Sequence, residues 1–280
     1  MIKSLDDTSF DNLYIAFSKA FEDYKFQISY DQLFAMLKRR GFNPKLSFAD
    51  YDNDEITAFT LNGIGVFQDK KTAYDTGTGT LPNYRQQGLA NRIFTYSIPF
   101  LKENMIEQYL LEVLQENSAA ISVYQKLGFS ITREFNYYHQ PINEILFSSS
   151  NIPIDITIAE ISPELMDVSF HDFNPSWQNS LESITRSKET FKILGAFYND
   201  HLIGYCATEP ATGDISQIAV KQNFRRQGLG TALLQQASGY SLSGTIKIVN
   251  TDPNCCSLNG FLSKLNIPLG GKQFEMIKTL

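Results

Sequence analysis

The sequence predicts an α/β (α+β) protein built from two duplicated domains in tandem. Three observations predict it. The chain is 280 residues long, more than one domain usually holds, so two domains of about 100–150 residues are expected. The stretch NYRQQGLANRIF at 83–94 returns as NFRRQGLGTALL at 223–234, and aligning Arg85 with Arg225 gives an offset of 225 − 85 = 140, half the chain. After each copy the same kinds of element follow in the same order.

Upstream of the first copy, apolar spacing predicts helices near 8–24 and 30–41, then strands near 45–51, 55–67 and 72–81, with turns at DNDE and DKK. The first turn opens a helix from Leu89 to about Lys102, followed by the alternating strand EQYLLEVL and an Asn-led helix, NSAAISVYQKLGF. The second half reads IDITIAEI, a helical region broken at Pro175, then ILGAFYND, HLIGYCAT and DISQIAV. Its turn opens a helix from Leu229 to about Tyr240, with GTIKIVN and NCCSLNGFLSKLNI after it. Turn glycine to helix Asn is 117 − 88 = 29 residues in one copy and 254 − 228 = 26 in the other, a drift that a shorter loop explains. The polar segment SSSNIP at 148–153 separates the two sets, giving domains at 1–147 and 154–280 with a linker of about 148–153.

Composition narrows the function classes. The net charge is −6, so the basic excess of a nucleic-acid groove is absent. Lys38, Arg39 and Arg40 read as a solvated helix end. The high aromatic content, 21 Phe and 14 Tyr, is expected to serve packing rather than a ligand. Three cysteines, Cys206, Cys255 and Cys256, are too few and too oddly placed for a disulfide framework. His139, His171 and His201 lie far apart, and neither CxxC nor HExxH occurs, so no metal site is expected. The N-terminus MIKSLDDTSF has no basic-then-apolar signal, and no apolar run approaches about 18 residues. A cytoplasmic protein without a membrane partner is expected.

The repeated turn carries the chemistry. A helix start leaves amide N–H groups without intrahelical partners, and a glycine there lets a ligand approach the backbone. The helix dipole adds partial positive charge, which suits phosphate or pyrophosphate. Arg85 and Arg225 are expected to add charge-assisted bonds to the same anion. Other phosphate loops fit worse: GGKQ at 270–273 lacks the GK[ST] of a Walker loop, and GTGTLP at 77–82 places Pro82 where a dinucleotide loop needs glycine. No GxSxG elbow is present.

The order strand, [QR]xxGx[GA], helix, strand, Asn-led helix resembles the GNAT superfamily of acyl-CoA-dependent N-acyltransferases in its tandem two-domain form. The resemblance covers most of both halves and is most specific over 78–129 and 215–262. It implies two tandem GNAT-like domains, each a mixed, mostly antiparallel sheet flanked by helices. It also implies that a strand splayed from its neighbour holds the pantetheine arm of acetyl-CoA while the loop amides hold its pyrophosphate. In the first copy these roles fall to Thr78, Thr80 and Leu81, and to Arg85, Gln86, Gln87, Gly88, Leu89 and Ala90. In the second they fall to Ile218 and Val220, and to Arg225, Arg226, Gln227, Gly228, Leu229 and Gly230. Asn117 and Asn254 would contact the coenzyme arm.

Acyl transfer to an amine needs a neutral amine, although a lysine-like amine has a reference pKa of about 10.4. It also needs a donor for the developing oxyanion and an acid for the leaving thiolate. Tyr124 lies seven residues after Asn117 (124 − 117 = 7), on the same helix face. The resemblance implies that Tyr124 protonates the thiolate; the residues alone favour a core residue of an amphipathic helix, as Leu127 and Phe129 are. In the second copy, 254 + 7 = 261 is Phe261, which has no hydroxyl. That domain then either binds acyl-CoA without turnover or takes a proton from Cys255, Cys256 or water. Glu112 and Asp75 are the candidate general bases. Phe135, Tyr137 and Tyr138 line an acceptor pocket or pack in the sheet.

The expected function is N-acetyl transfer from acetyl-CoA, as cosubstrate and without metal, to the amine of a small molecule or peptide. The chemically complete site is expected in the first domain, with Tyr124 and Glu112 as catalytic residues. The alternatives are an acyl-CoA sensor or scaffold without turnover, or activity residing in the second domain. No nucleic-acid partner is expected, and a homodimer is left open.

Overall fold

The computed structural model describes residues 1–24, 27–147 and 152–280. Contacts divide the chain into two units: Met1–Arg133 with Phe274–Leu280, and Glu134–Gln273. In chain order the elements are β1 (Ile2–Ser4), α1 (Phe10–Ala20), α2 (Tyr30–Arg40), β2 (Phe48–Asp52), β3 (Glu55–Phe67), β4 (Lys70–Thr80), α3 (Leu89–Glu103), β5 (Gln108–Leu114), α4 (Ser118–Lys126) and β6 (Ser130–Pro141). There follow β7 (Ile156–Glu160), α5 (Leu181–Arg186), β8 (Lys192–Tyr198), β9 (His201–Glu209), β10 (Asp214–Val220), α6 (Leu229–Ser238), β11 (Thr245–Thr251), α7 (Cys256–Lys264) and β12 (Leu269–Thr279).

In the first unit the strands run in the order β1-β2-β3-β4-β5, with the last residues of β12 next. The first four strands are antiparallel neighbours, and β4 pairs β5 in parallel. The second unit runs β6-β11-β10-β9-β8-β7, and again one pair, β10 with β11, is parallel among antiparallel neighbours. The mixed, mostly antiparallel sheet is therefore present twice.

Helix starts follow their caps. Ser9 accepts from the Asn12 amide, and Ser29 with Gln32 forms a capping box. Burial at helical spacing fixes α3 (Leu89, Ile93, Phe94, Leu101) and α6 (Leu229, Leu233, Ala237) against their sheets. Phe94 packs with Tyr109, Leu111 and Met276 in one core, and Leu233 with Cys206, Ile215 and Ile248 in another.

Three features differ from the sequence reading. The boundary expected at 148–153 falls largely on 148–151, outside the described residues, and the two units divide elsewhere: 134–147 belong to the second, where β6 pairs β11, and 274–280 to the first. The helical region around Pro175 is instead a series of short turns followed by the six-residue α5. Lys38, Arg39 and Arg40 do close the last turn of α2, yet Arg39 is buried, and Arg40 donates to the Thr76 carbonyl at 3.0 Å.

Candidate functional site

The two turns are built alike. In each, a short helical turn (82–84; 222–224) leads to an extended arginine, a left-handed residue (Gln86, φ 64°; Arg226, φ 65°) and a left-handed glycine (Gly88, φ 72°; Gly228, φ 84°). The glycine is the N-cap of α3 or α6, and no side chain caps either start. The first helical bonds run from Arg92 to Gly88 and from Ala232 to Gly228, so the preceding amides remain available to an anion. Gln87 and Gln227 each bond back to the carbonyl of Asn83 or Asn223 at 3.3 Å. Leu89 and Leu229 are core residues.

Both arginines are engaged within the chain. Arg85 donates to the carbonyls of Thr80 and Ala20 and pairs with Asp23. Arg225 donates to the carbonyls of Val220 (2.7 Å) and Phe170 (3.1 Å) and to both Asp172 oxygens at 2.9 Å. A guanidinium surrounded by acceptors is a brace tying the loop to the strand end and an upstream segment. The cation of the second turn that carries no such brace is its neighbour Arg226, which is exposed; its counterpart in the first turn is the neutral Gln86.

Each turn follows a fork. β4 and β5 stop pairing at Tyr74–Leu110, and β10 and β11 pair only at Asp214–Lys247. Beside each fork the antiparallel partner skips one residue, Thr76 in β4 and Ser216 in β10, and 216 − 76 = 140 repeats the sequence offset. In the second unit a cavity of about 770 Å³ occupies the fork. Ile218 and Val220 line it with Arg225, Arg226, Gly228 and Gly230, whereas Gln227, Leu229 and Asn254 do not. Phe261 stands on its wall, and the hydroxyl of Thr251 is buried there without a partner. Arg226 and Lys264 are cationic lining residues, and the one acidic lining residue, Asp172, is bound by Arg225. These features fit an extended, anionic ligand of coenzyme type.

The first unit brings its catalytic candidates together differently. Asp75 accepts from the Gly77 amide (3.0 Å), the Thr78 hydroxyl (2.9 Å) and the Tyr124 hydroxyl (3.4 Å). Thr78 also reaches Thr60 on β3, and Leu81 donates its amide to Thr57. Burial pushes the Asp75 carboxyl up to about 6, against those three hydrogen bonds and the charge of Arg40. Burial and Asp75 together hold the Tyr124 phenol well above its usual range. The Tyr124 ring also packs on Phe94 and Phe129, so the core role weighed from the residues is real. Glu112 accepts from the buried Tyr74 hydroxyl at 3.1 Å. Asn117 caps α4 through the Ala120 amide, while Asn254 is exposed and precedes α7. Tyr138 bonds Asn259 across the second core, and Phe135 is buried.

The raised Asp75 carboxyl has a stability consequence. Its native pKa of about 6 exceeds the 3.8 of the free group, so its penalty is absent below pH 4 and complete above pH 6. At about 1.4 kcal/mol per unit this comes to about 3 kcal/mol. Asp75→Asn is therefore expected to raise stability to urea by about 3 kcal/mol at pH 8 and to leave it unchanged near pH 4.

Sequence reasoning missed one cavity residue with chemical capacity. His171 contacts the Tyr205 hydroxyl through Nε2, and burial lowers its pKa. No motif announces it, because Tyr205 lies 34 residues further along the chain. Among the described residues no group of His, Cys, Asp and Glu is arranged to hold a metal, and no helix is long and apolar enough to cross a membrane.

Comparisons with known proteins agree with this geometry. The model of the acetyltransferase (GNAT) family matches residues 10–129 and 158–254. A ribosomal protein bS18-alanine N-acetyltransferase of Escherichia coli is 31% identical over 94 residues, which is 33% of this chain and 61% of that protein. The match thus spans less than two thirds of that relative. Among solved structures, a tandem GNAT protein from the clavulanic acid biosynthesis pathway aligns over 100% of this chain and 98% of its own, with a TM-score of 0.73 and 12% identity. A GCN5-related N-acetyltransferase from Sphaerobacter thermophilus aligns over 100% and 95%, with a TM-score of 0.70 and 14% identity. At such identities the likeness concerns the fold.

Proposed function

This chain belongs to the acetyltransferase (GNAT) family, and from that premise we propose that it is an N-acetyltransferase moving the acetyl group of acetyl-CoA onto an amine, with the donor held in the second unit. The observation that carries this reading is the cavity of about 770 Å³ between the diverging β10 and β11, which ends on the uncapped start of α6. The pyrophosphate would rest on the amides after Gly228, with Arg226 and Lys264 supplying countercharge. The pantetheine arm would run along Ile218–Val220, whose edge toward β11 carries no ladder bonds. The Thr251 hydroxyl offers that arm a further partner. The acceptor is the amine of a small molecule or a peptide N-terminus. A cytoplasmic setting suits the three free thiols. Calorimetric titration with acetyl-CoA tests the reading: saturable binding accompanied by slow thiol release on adding an amine supports it, and no binding sinks it.

A second reading places turnover in the first unit. It is favoured by the Tyr124 hydroxyl, held on Asp75 beside the bulge at Thr76 and kept protonated, as a thiolate's acid must be. Tyr124→Phe separates the two. With the donor in the second unit, thiol release should stay within about twofold of wild type, whereas loss of the acid would cost about 100-fold or more.

A further inference from the structure

The cavity of the second unit contains a hydrogen-bonded chain that fixes the tautomer of a histidine. Gln217, directly after the bulge at Ser216, donates its amide Nε2 to the Asn179 carbonyl at 2.6 Å, which orients the amide. Its Oε1 is then an acceptor only, and the Tyr205 hydroxyl donates to it at 3.1 Å. With its single proton so placed, the Tyr205 oxygen can only accept from the Nε2 of His171. The ring therefore carries its proton on Nε2, and its lone pair lies on Nδ1.

We propose that His171 is the base that takes the proton from the acceptor's ammonium group, with Tyr205 and Gln217 as positioning residues. This rests on the reading that acetyl-CoA occupies the same cavity. The ring lines that cavity beside Gln217, next to the bulge, about 10 Å up the strand from Val220 at 3.3 Å per residue. An arm anchored at Gly228 and running along β10 brings its thioester toward this point. The ammonium gives one proton to Nδ1. The freed nitrogen lone pair forms the C–N bond to the acetyl carbon, and the C–S bond breaks with its electron pair on sulfur. A second proton from that nitrogen neutralises the thiolate, and the imidazolium later returns its proton to water.

Local charge supports a ring that is neutral before it acts. Burial lowers its pKa and outweighs the hydrogen bond with the Gln217 side chain and the charges of Asp172 and Asp167, which raise it. Asp172 is already shared between Arg225 and Ser257, and Asp167 accepts from Ser169. Tyr205 and Gln217 complete its polar surroundings.

The test uses two probe amines at saturating acetyl-CoA and pH 7: ethylamine, which is protonated and needs a base, and hydroxylamine, which is already neutral. In His171→Gln the ratio of ethylamine-driven to hydroxylamine-driven thiol release is expected to fall about 100-fold, with acetyl-CoA affinity unchanged. An unchanged ratio overturns the proposal, as does a wild-type protein that binds acetyl-CoA but accelerates neither amine. Failure to bind acetyl-CoA at all overturns the coenzyme reading itself, and this proposal with it. Tyr205→Phe keeps the ring and serves should His171→Gln not fold. Long-range ¹H–¹⁵N spectra should show the Nε2–H tautomer in wild type and a tautomer mixture in Tyr205→Phe; an Nδ1–H ring in wild type contradicts the assignment.

Discussion

A fragment ending at residue 147 is expected to be unfolded, and Glu275→Ala in the full chain to destabilise the first unit by about 3–5 kcal/mol. The reason is that the first unit takes its last strand residues from the far end of the chain. Glu275 is buried at 1% exposure and accepts from Arg133 through Nε at 2.9 Å and through Nη2, and from the Thr132 hydroxyl at 2.9 Å. Removing the carboxylate takes that charge from a partly buried guanidinium, which costs far more than breaking a surface pair. Next to it Met276 is fully buried among Phe94, Tyr109 and Leu111, Lys278 donates to the Leu127 carbonyl, and Leu280 donates to Glu107. Fragment 1–147 loses all of these at once. Circular dichroism and urea titration check both expectations, and a cooperative melt of 1–147 alone would contradict them.

Gly228→Glu is expected to weaken acetyl-CoA binding by at least about 1,000-fold, equivalent to about 4 kcal/mol. Two effects combine. Gly228 sits at φ 84°, where a side chain costs about 1–2 kcal/mol, and it is the N-cap of α6. A glutamate there also places a carboxylate beside the amides that would receive the pyrophosphate, competing for them and repelling the ligand's charge. Gly88→Glu makes the same change at φ 72°, where a new side chain meets nothing within 4 Å. It is expected to leave binding within about twofold, since a ligand held in the second unit does not touch it.

Much of this was legible in the residues. The offset of 140 relates not only the two glycine turns but also the bulges at Thr76 and Ser216, which no sequence pattern marks. The β3, β5 and α3 segments stand within a few residues of their expected places, because their periodicity and turn signals are local. The strand at 269–279 went unread: in LGGKQFEMIKT two glycines follow the first residue, and only Phe274 and Met276 hint at alternation. Arg225 shows the limit of reading charge from sequence. Its position before a phosphate-type turn predicts an anion ligand, but Asp172 and the carbonyls of Phe170 and Val220, distant or unremarkable in sequence, claim its donors. His171 is the same lesson reversed, since its partners arrive only through the pairing of β9 with β10.

A calorimetric titration of acetyl-CoA into the wild-type protein, Gly88→Glu and Gly228→Glu decides which unit holds the donor. The structure predicts binding in the first two and none in the third. Binding lost in Gly88→Glu and kept in Gly228→Glu would contradict the account and move the donor site to the first unit, beside Tyr124.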